Sequence, residues 1–301
     1  MKLNFQHIAG FCGALFTMIL TALMGSCKSS AEKSIEEAIQ VPSGYELIWH
    51  DEFDSGAKPD AAYWSYENGF VRNEELQWYQ EDNASIKDGH LVITGKKEKV
   101  NNPNFEAKST NWKKNREQSA YTSSSINTRG KFQFKYGIVE VRAKIDTASG
   151  MWPAIWTLGI DKGWPSNGEI DMMEFYQIDG KPHILANAAW GANWRNVSWD
   201  SEKIPFAEFL EKDPQWPEKF HIWKMDWTSE SIKLYLDGEL LNEIQLNKTQ
   251  NPDGFNGFQQ PHYLLLNLAI GSNGGKPGEN AFPGEYRVDY ARVYQKNKNT
   301  N

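Results

Sequence analysis

Two cysteines are all that 301 residues contain, and both, Cys12 and Cys27, fall within the first 27 positions. The rest of the chain therefore holds no disulfide, and a domain of this size does not need one. Cys27 stands in no histidine-rich context that would make it a nucleophile. No basic block occurs and the net charge is −7, which argues against nucleic acid as a partner. His183 and His221 have no metal-ligand spacing to each other or to carboxylates, and read as satisfied core or surface histidines. No long segment has a 3.6-residue apolar period, and Phe206–Lys212 is at most a short helix. Internal repeats are missing too, and nothing is left over for a second domain. What the chain does have is 40% hydrophobic and 13% aromatic residues, enough for a large core with rings to spare.

Residues 1–27 read as a processing segment. Lys2 supplies a short positive start, Ile8 to Met24 is an apolar run, and Leu23-Met24-Gly25-Ser26-Cys27 follows. That ending resembles a bacterial lipobox, with Met24 a mild departure. The resemblance implies an exported protein anchored to the outer membrane through lipidated Cys27. Residues 28–43, rich in Ser, Glu and Lys, read as a tether. Residues 44–296 form the single domain and 297–301 a tail; the chain is expected to act as a monomer.

From Tyr45 onward the pattern is short β-type runs between Gly, Pro, Asn and Asp turns. Expected strands are Tyr45–Trp49, Leu91–Lys97, Ser123–Asn127, Lys131–Phe134, Ile138–Lys144, Ala154–Leu158 and Glu169–Phe175. They continue with Ile184–Trp190, His221–Trp227, Ser231–Leu236, Leu240–Ile244, Tyr263–Ala269 and Tyr286–Tyr294. Asp237-Gly238 between two alternating runs predicts a hairpin. A dozen such strands predict an all-β fold, a jelly-roll sandwich of two antiparallel sheets. The stretch Asn101–Gln118 lacks strand pattern and is either a wall of a cleft or a surface excursion.

One strand breaks the usual rule. Gly168–Tyr176 reads G-E-I-D-M-M-E-F-Y, with three carboxylates among core-forming residues. Glu169 and Asp171, two apart, share a face of a regular strand, whereas Glu174 would point away. A bulge within Met172-Met173 returns Glu174 to the same side. The two Glu Cα atoms would then be roughly 13 Å apart. Their side chains bring the carboxyls near the ~5–5.5 Å separation of a retaining glycosidase. Asp171 falls between them and can hold their pKa values apart. Trp152, Trp156 and Trp164 precede this row and Trp190 and Trp194 follow it, as stacking surfaces for sugar rings.

With W-P-A-I-W at 152–156, Y-G-I-V-E-V-R-A-K at 136–144, L-L-L-N-L-A-I-G at 264–271, V-D-Y-A-R-V-Y at 288–294, D-E-F at 51–53 and E-L-Q-W-Y at 75–79, the chain resembles glycoside hydrolase family 16, laminarinase-like branch. The resemblance implies Glu169 as nucleophile, Glu174 as acid/base and Asp171 as the assisting carboxylate. Asn73 is implied as a sugar contact near the cleavage point, with Trp152, Trp156, Trp164 and Trp190 along the cleft. No organic cofactor is implied, but relatives bind a structural calcium near the positions of Glu52 and Asp289. Laminarinases read Y-T-S-A-R where this chain has Tyr121-Thr122-Ser123-Ser124-Ser125, so an Arg is replaced by Ser125. The expected activity is retaining endo-hydrolysis of β-1,3-glucan or mixed-linkage β-glucan. The alternative substrates are agar-type galactan or the poly-N-acetyllactosamine of keratan and mucin O-glycans. A non-catalytic glycan-binding lipoprotein on the same sandwich has no use for a bulged acidic row.

Overall fold

The computed structural model describes residues 39–297, so the leader, Cys27 and most of the tether expected from the sequence lie outside the described residues. Within Val41 onward, two large sheets hold nearly all of the strand residues. The cleft sheet runs in the order β14 (Asn196–Pro205), β13 (Lys181–Asn193), β12 (Glu169–Ile178), β11 (Met151–Gly159), β18 (His262–Ile270), β9 (Ser125–Asn127) and β2 (Ser65–Tyr66). The back sheet runs β17 (Glu239–Gln245), β16 (Ser231–Leu236), β15 (His221–Trp227), β10 (Gly137–Lys144), β19 (Gly284–Lys296), β5 (His90–Gly95) and β4 (Ala84–Lys87), with β1 (Tyr45–Asp51) beside β19. Every pairing in both sheets is antiparallel, the jelly-roll sandwich that the alternation implied. Two small pairs complete the strands: β3 (Gln77–Tyr79) parallel to β8 (Tyr121–Ser123), and β6 (Val100–Asn101) with β7 (Gln118–Ser119).

The sandwich forms because each sheet has one apolar face. In β15, His221, Trp223, Met225 and Trp227 are buried while Ile222, Lys224 and Asp226 between them are half-buried on the outer side. They meet Met172, Met173 and Phe175 of β12 and Leu264, Leu266 and Leu268 of β18 in one core. Burying each such side chain is worth about 1.5–3 kcal/mol. β18 is buried on both faces, because Tyr263 and Leu265 join Ala154 and Trp156 in a second apolar cluster on the cleft side. The turn between β16 and β17 has positive φ at Asp237 (49°) and Gly238 (86°), the conformation a two-residue hairpin loop demands. His221 is a satisfied core residue: it stacks on Trp216 at 3.8 Å and hydrogen-bonds Asp237 at 2.6 Å.

Three expectations need correction. Lys131–Phe134 is no strand; only Phe134 bridges to His262, and Phe132 stacks on Trp49 with centroids 4.8 Å apart. Its aromatic alternation comes from ring packing around Trp49. Conversely Asn196–Pro205 is a ten-residue strand that its polar sequence hid, since it is an edge strand with little of it buried. The stretch 101–118 lines no part of the cleft, yet it is not a loose excursion. It holds a short helix, α1 (Trp112–Asn115), and its Arg116 donates to the carbonyls of Glu74 and Glu75 at 2.9 and 2.5 Å. Arg116 also lies over the rings of Trp112 and Phe70, at 5.0 and 5.3 Å. The expected short helix, α2, spans Phe206–Lys212. Among the described residues no helix is long and apolar enough to cross a membrane.

Candidate active site

The acidic row sits where the two neighbours of β12 force it. Asp171 faces Asn187 of β13 and Glu174 faces Leu185, so Met172 and Met173 together oppose the single Ala186. Two residues against one is a bulge, and both methionines are fully buried in the core. Glu169, Asp171 and Glu174 consequently share the opposite face and line one recess with Arg72, Asn73, Glu75, Trp152, Trp156 and Asn267. The recess opens into a cleft of about 830 Å³. That cleft crosses the sheet from Trp199, Ser201 and Lys203 on β14, over β12 and β11, to the Ser272-Asn273 turn.

Glu174 is held by two donors: Trp152 Nε1 to Oε1 and Asn187 Nδ2 to Oε2, both 2.9 Å. Burial nevertheless pushes its pKa up to about 7, against the pull of those two bonds. Burial and repulsion from Glu174 push Glu169 up to about 8, while Arg72 and a hydrogen bond from Trp164 draw it down. Asp171 is raised furthest from the usual carboxylate range by burial and by both glutamates, and its Oδ2 has no partner. The rise favours the protonated form of Asp171, with an O–H to give to a neighbouring carboxylate. Glu169 and Glu174 titrate as a pair near neutrality and share a proton there. Double displacement requires the charge on Glu169 and the proton on Glu174, an order that Arg72 and Trp164 favour and that burial of Glu169 opposes.

The aromatic expectations divide. Trp152, edge-on to Tyr176 at 5.5 Å, is buried and serves as the donor to Glu174 while lining the cleft. Trp156 is also buried, its indole N–H given to Asn267 Oδ1 at 2.7 Å. Trp164 is 43% exposed and offers the cleft an open ring. Asn73 lines both recess and cleft, at φ 55°, with its backbone oxygen held by Ser272 Oγ at 2.8 Å. Trp190 is a correction: on β13 the cleft-facing positions are Asn187 and Ala189, so Trp190 points to the core side and packs edge-on to Phe258 at 6.2 Å. Trp199, exposed on β14, lies on the cleft surface that Trp190 was expected to continue.

Ser125 also departs from expectation. It is on the cleft face of the sheet, level with Asn267, but is fully buried and donates to Glu67 Oε2 at 2.6 Å. Glu67 in turn is ion-paired to Arg72, whose guanidinium reaches the recess. Arg72 carried no sequence pattern, and Glu75 and Asn267 stood inside the motifs E-L-Q-W-Y and L-L-L-N-L-A-I-G without being singled out. Asn187 had the faint signal of an amide within the apolar run I-L-A-N-A-A-W. The calcium expectation does not fit the residues present. Glu52 is held by Arg292, at 2.9 and 2.7 Å, and by His50; Asp289 pairs with Arg142 and His90. Each carboxylate is already neutralised, and no group of three metal-binding side chains occurs among the described residues.

A jelly-roll sandwich with a bulged row of three carboxylates, Asp171 buried between half-buried Glu169 and Glu174, under an aromatic-lined cleft is the scaffold of a glycoside hydrolase. The chain belongs to glycosyl hydrolases family 16, whose family model matches residues 72–292. It is 32% identical to glucan endo-1,3-beta-glucosidase A1 of Niallia circulans over 84% of this chain and 38% of that one. It is 30% identical to a keratan-sulfate endo-1,4-beta-galactosidase of Sphingobacterium multivorum over 89% of this chain and 60% of that one. The chain thus spans less than two thirds of the length of either relative. Among solved structures, one from work on endo-acting O-glycanases with which prominent members of the human gut microbiota initiate mucin breakdown matches at a TM-score of 0.76. That match has 33% identity and covers 85% of this chain and 93% of the other.

Proposed function

We propose that this glycoside hydrolase is an endo-acting, retaining β-glycosidase that cuts internal linkages of a β-glycan, with laminarin-type β-1,3-glucan as first substrate. The observation that carries the reading is the bulged row itself, beneath a cleft that crosses four strands of the sheet. In the first step Glu169 attacks the anomeric carbon while Glu174 gives its proton to the departing glycosidic oxygen. The sugar is then bound to Glu169 through an ester. Glu174, now ionised, takes a proton from the incoming water, which displaces Glu169 and restores the starting state. Trp152 and Asn187 fix the direction of Glu174 through both steps, and Asp171 gives Glu169 a hydrogen bond as its charge returns.

A second substrate, the β-galactoside backbone of mucin or keratan O-glycans, is favoured by the likeness to the O-glycanase structure and the galactosidase relative. The chain is also proposed to be exported and anchored by lipid at Cys27, acting as a monomer at the outer membrane. Chromatography of products from laminarin, lichenan, agarose, keratan and mucin tests the substrate. Early release of mid-length oligosaccharides from laminarin supports the first reading; release from keratan or mucin alone replaces it with the second. Release of single sugars only, from any of them, contradicts endo action.

A further inference from the structure

We infer that Arg72 is a positioning residue for the nucleophile: a fixed guanidinium, braced by Glu67 and Ser125, that supplies the positive charge of the recess holding the acidic row. This rests on Glu169 being the nucleophile.

The recess is lined by four carboxylates, Glu75, Glu169, Asp171 and Glu174, and by one cation, Arg72. Three contacts fix where that cation sits. Nη2 of Arg72 is ion-paired to Glu67. Glu67 is itself pinned by Ser125 Oγ at 2.6 Å from the fully buried start of β9. The guanidinium carbon lies 5.0 Å from the ring centre of Trp156 and 5.8 Å from that of Tyr79, so two aromatic faces hold the plane. Trp156 is fixed in turn through Asn267 at 2.7 Å, and Asn267 donates to the Tyr79 hydroxyl at 3.2 Å. Both supports of the guanidinium are therefore tied to each other.

A guanidinium present only to tether its loop would use its donors on that loop. Here Nη1 is buried and has no hydrogen-bond partner. An uncommitted N–H pair beside four acids acts through charge. Its effect has a direction: Arg72 draws the Glu169 pKa down, against burial and the repulsion of Glu174. Other ionisable groups facing Arg72 are Glu67, Glu75 and Tyr79, whose influence on it is felt in the same recess. Glu67 offsets part of the guanidinium charge, and the brace is what keeps the remainder aimed at Glu169.

The same arrangement accounts for Ser125. A small hydroxyl is what the buried site beside Glu67 accommodates, and a fixed cation reaches the recess from position 72 in place of position 125.

The test is a titration that does not depend on any substrate. Carbon NMR of glutamate carboxyls labelled with carbon-13, assigned by difference with Glu169→Gln, follows Glu169 in the wild type, Arg72→Lys, Arg72→Met and Ser125→Ala. Thermal melts confirm that each variant is folded. The Glu169 titration is expected to rise by about one pH unit or more in Arg72→Met and by less in Arg72→Lys, which keeps the charge but loses the fork. Ser125→Ala is expected to move it in the same direction by a smaller step. With an active substrate, the acidic limb of the kcat profile should shift by the same amount in Arg72→Met. An unchanged Glu169 titration in a folded Arg72→Met overturns the inference and leaves Arg72 a loop tether. Should Arg72→Met not fold, Arg72→Gln is titrated in its place, under the same two outcomes. If Glu169→Gln keeps full activity, the nucleophile assignment fails, and a shifted titration would then show only a charge contact.

Discussion

Strands β15 and β12 cross the same core from opposite sheets, and they obey different rules. In β15 the alternation is unbroken: every second residue is buried and every one between is half-buried. In β12 the alternation fails at Met172-Met173, where two buried residues stand side by side, and three carboxylates occupy the other face. The first strand is designed for stability alone. The second gives up pairing at one residue and takes three acids out of water, and what it gains is a row of reactive groups. Stability and activity are therefore separable between the two strands, and substitutions in each should move different quantities.

The largest effect belongs to the nucleophile. Glu169→Gln should leave a folded, sugar-binding protein whose activity is lower by several orders of magnitude, read from initial rates on the preferred glycan. Activity within tenfold of the wild type would remove Glu169 from the role. Glu174→Gln should cost about 10²–10⁴-fold, with the loss much reduced on an aryl glycoside whose leaving group needs no proton. An equal loss on both substrates would count against Glu174 as the acid.

On β15 the outcome reverses. Trp223→Ala should destabilise by about 3–5 kcal/mol, seen in denaturant melts, because a fully buried indole leaves a cavity in the shared core. The surviving folded fraction should keep its specific activity; a proportionate loss of kcat would mean that the back sheet sets the site after all.

How much of this was readable from the sequence follows from the same contrast. Regular strands such as β15 announce themselves by their period, and so does the Asp237-Gly238 turn. The bulge was readable because the three carboxylates could share a face only if one residue was extra. Trp190 was misplaced since its side depends on the register of β13 against β12, which no local pattern states. Strand β14 was missed because an edge strand half in water has almost no apolar signal. Arg72 reaches the acidic row from about a hundred residues away in sequence, and only the fold brings the two together. Ser125 was legible as a departure but not as a brace: its partner Glu67 is 58 positions earlier. Ser125→Arg should consequently gain nothing on laminarin and should destabilise by about 1–3 kcal/mol, since a long charged side chain does not fit a fully buried site. A higher kcat/KM on laminarin would place position 125 in the cleft.

The smallest effect sharpens the comparison most, since it should raise stability. A carboxyl whose folded pKa is raised keeps a proton that the unfolded chain releases above about pH 4, so its contribution to stability falls as pH rises from there. Asp171 is such a group. Asp171→Asn should melt a few degrees higher than the wild type at pH 8, with the difference vanishing at pH 4, while activity drops. A lower melting temperature at pH 8 would mean that the acid is supported by its surroundings.

On the proposed mechanism, one bulge lets Glu169 and Glu174 act in succession on the same anomeric carbon. The most direct measurement is proton NMR of the reducing end formed in the first minutes of hydrolysis, before mutarotation. The expected product is the β-anomer; an α-anomer formed first would contradict the arrangement of the site and the mechanism built on it.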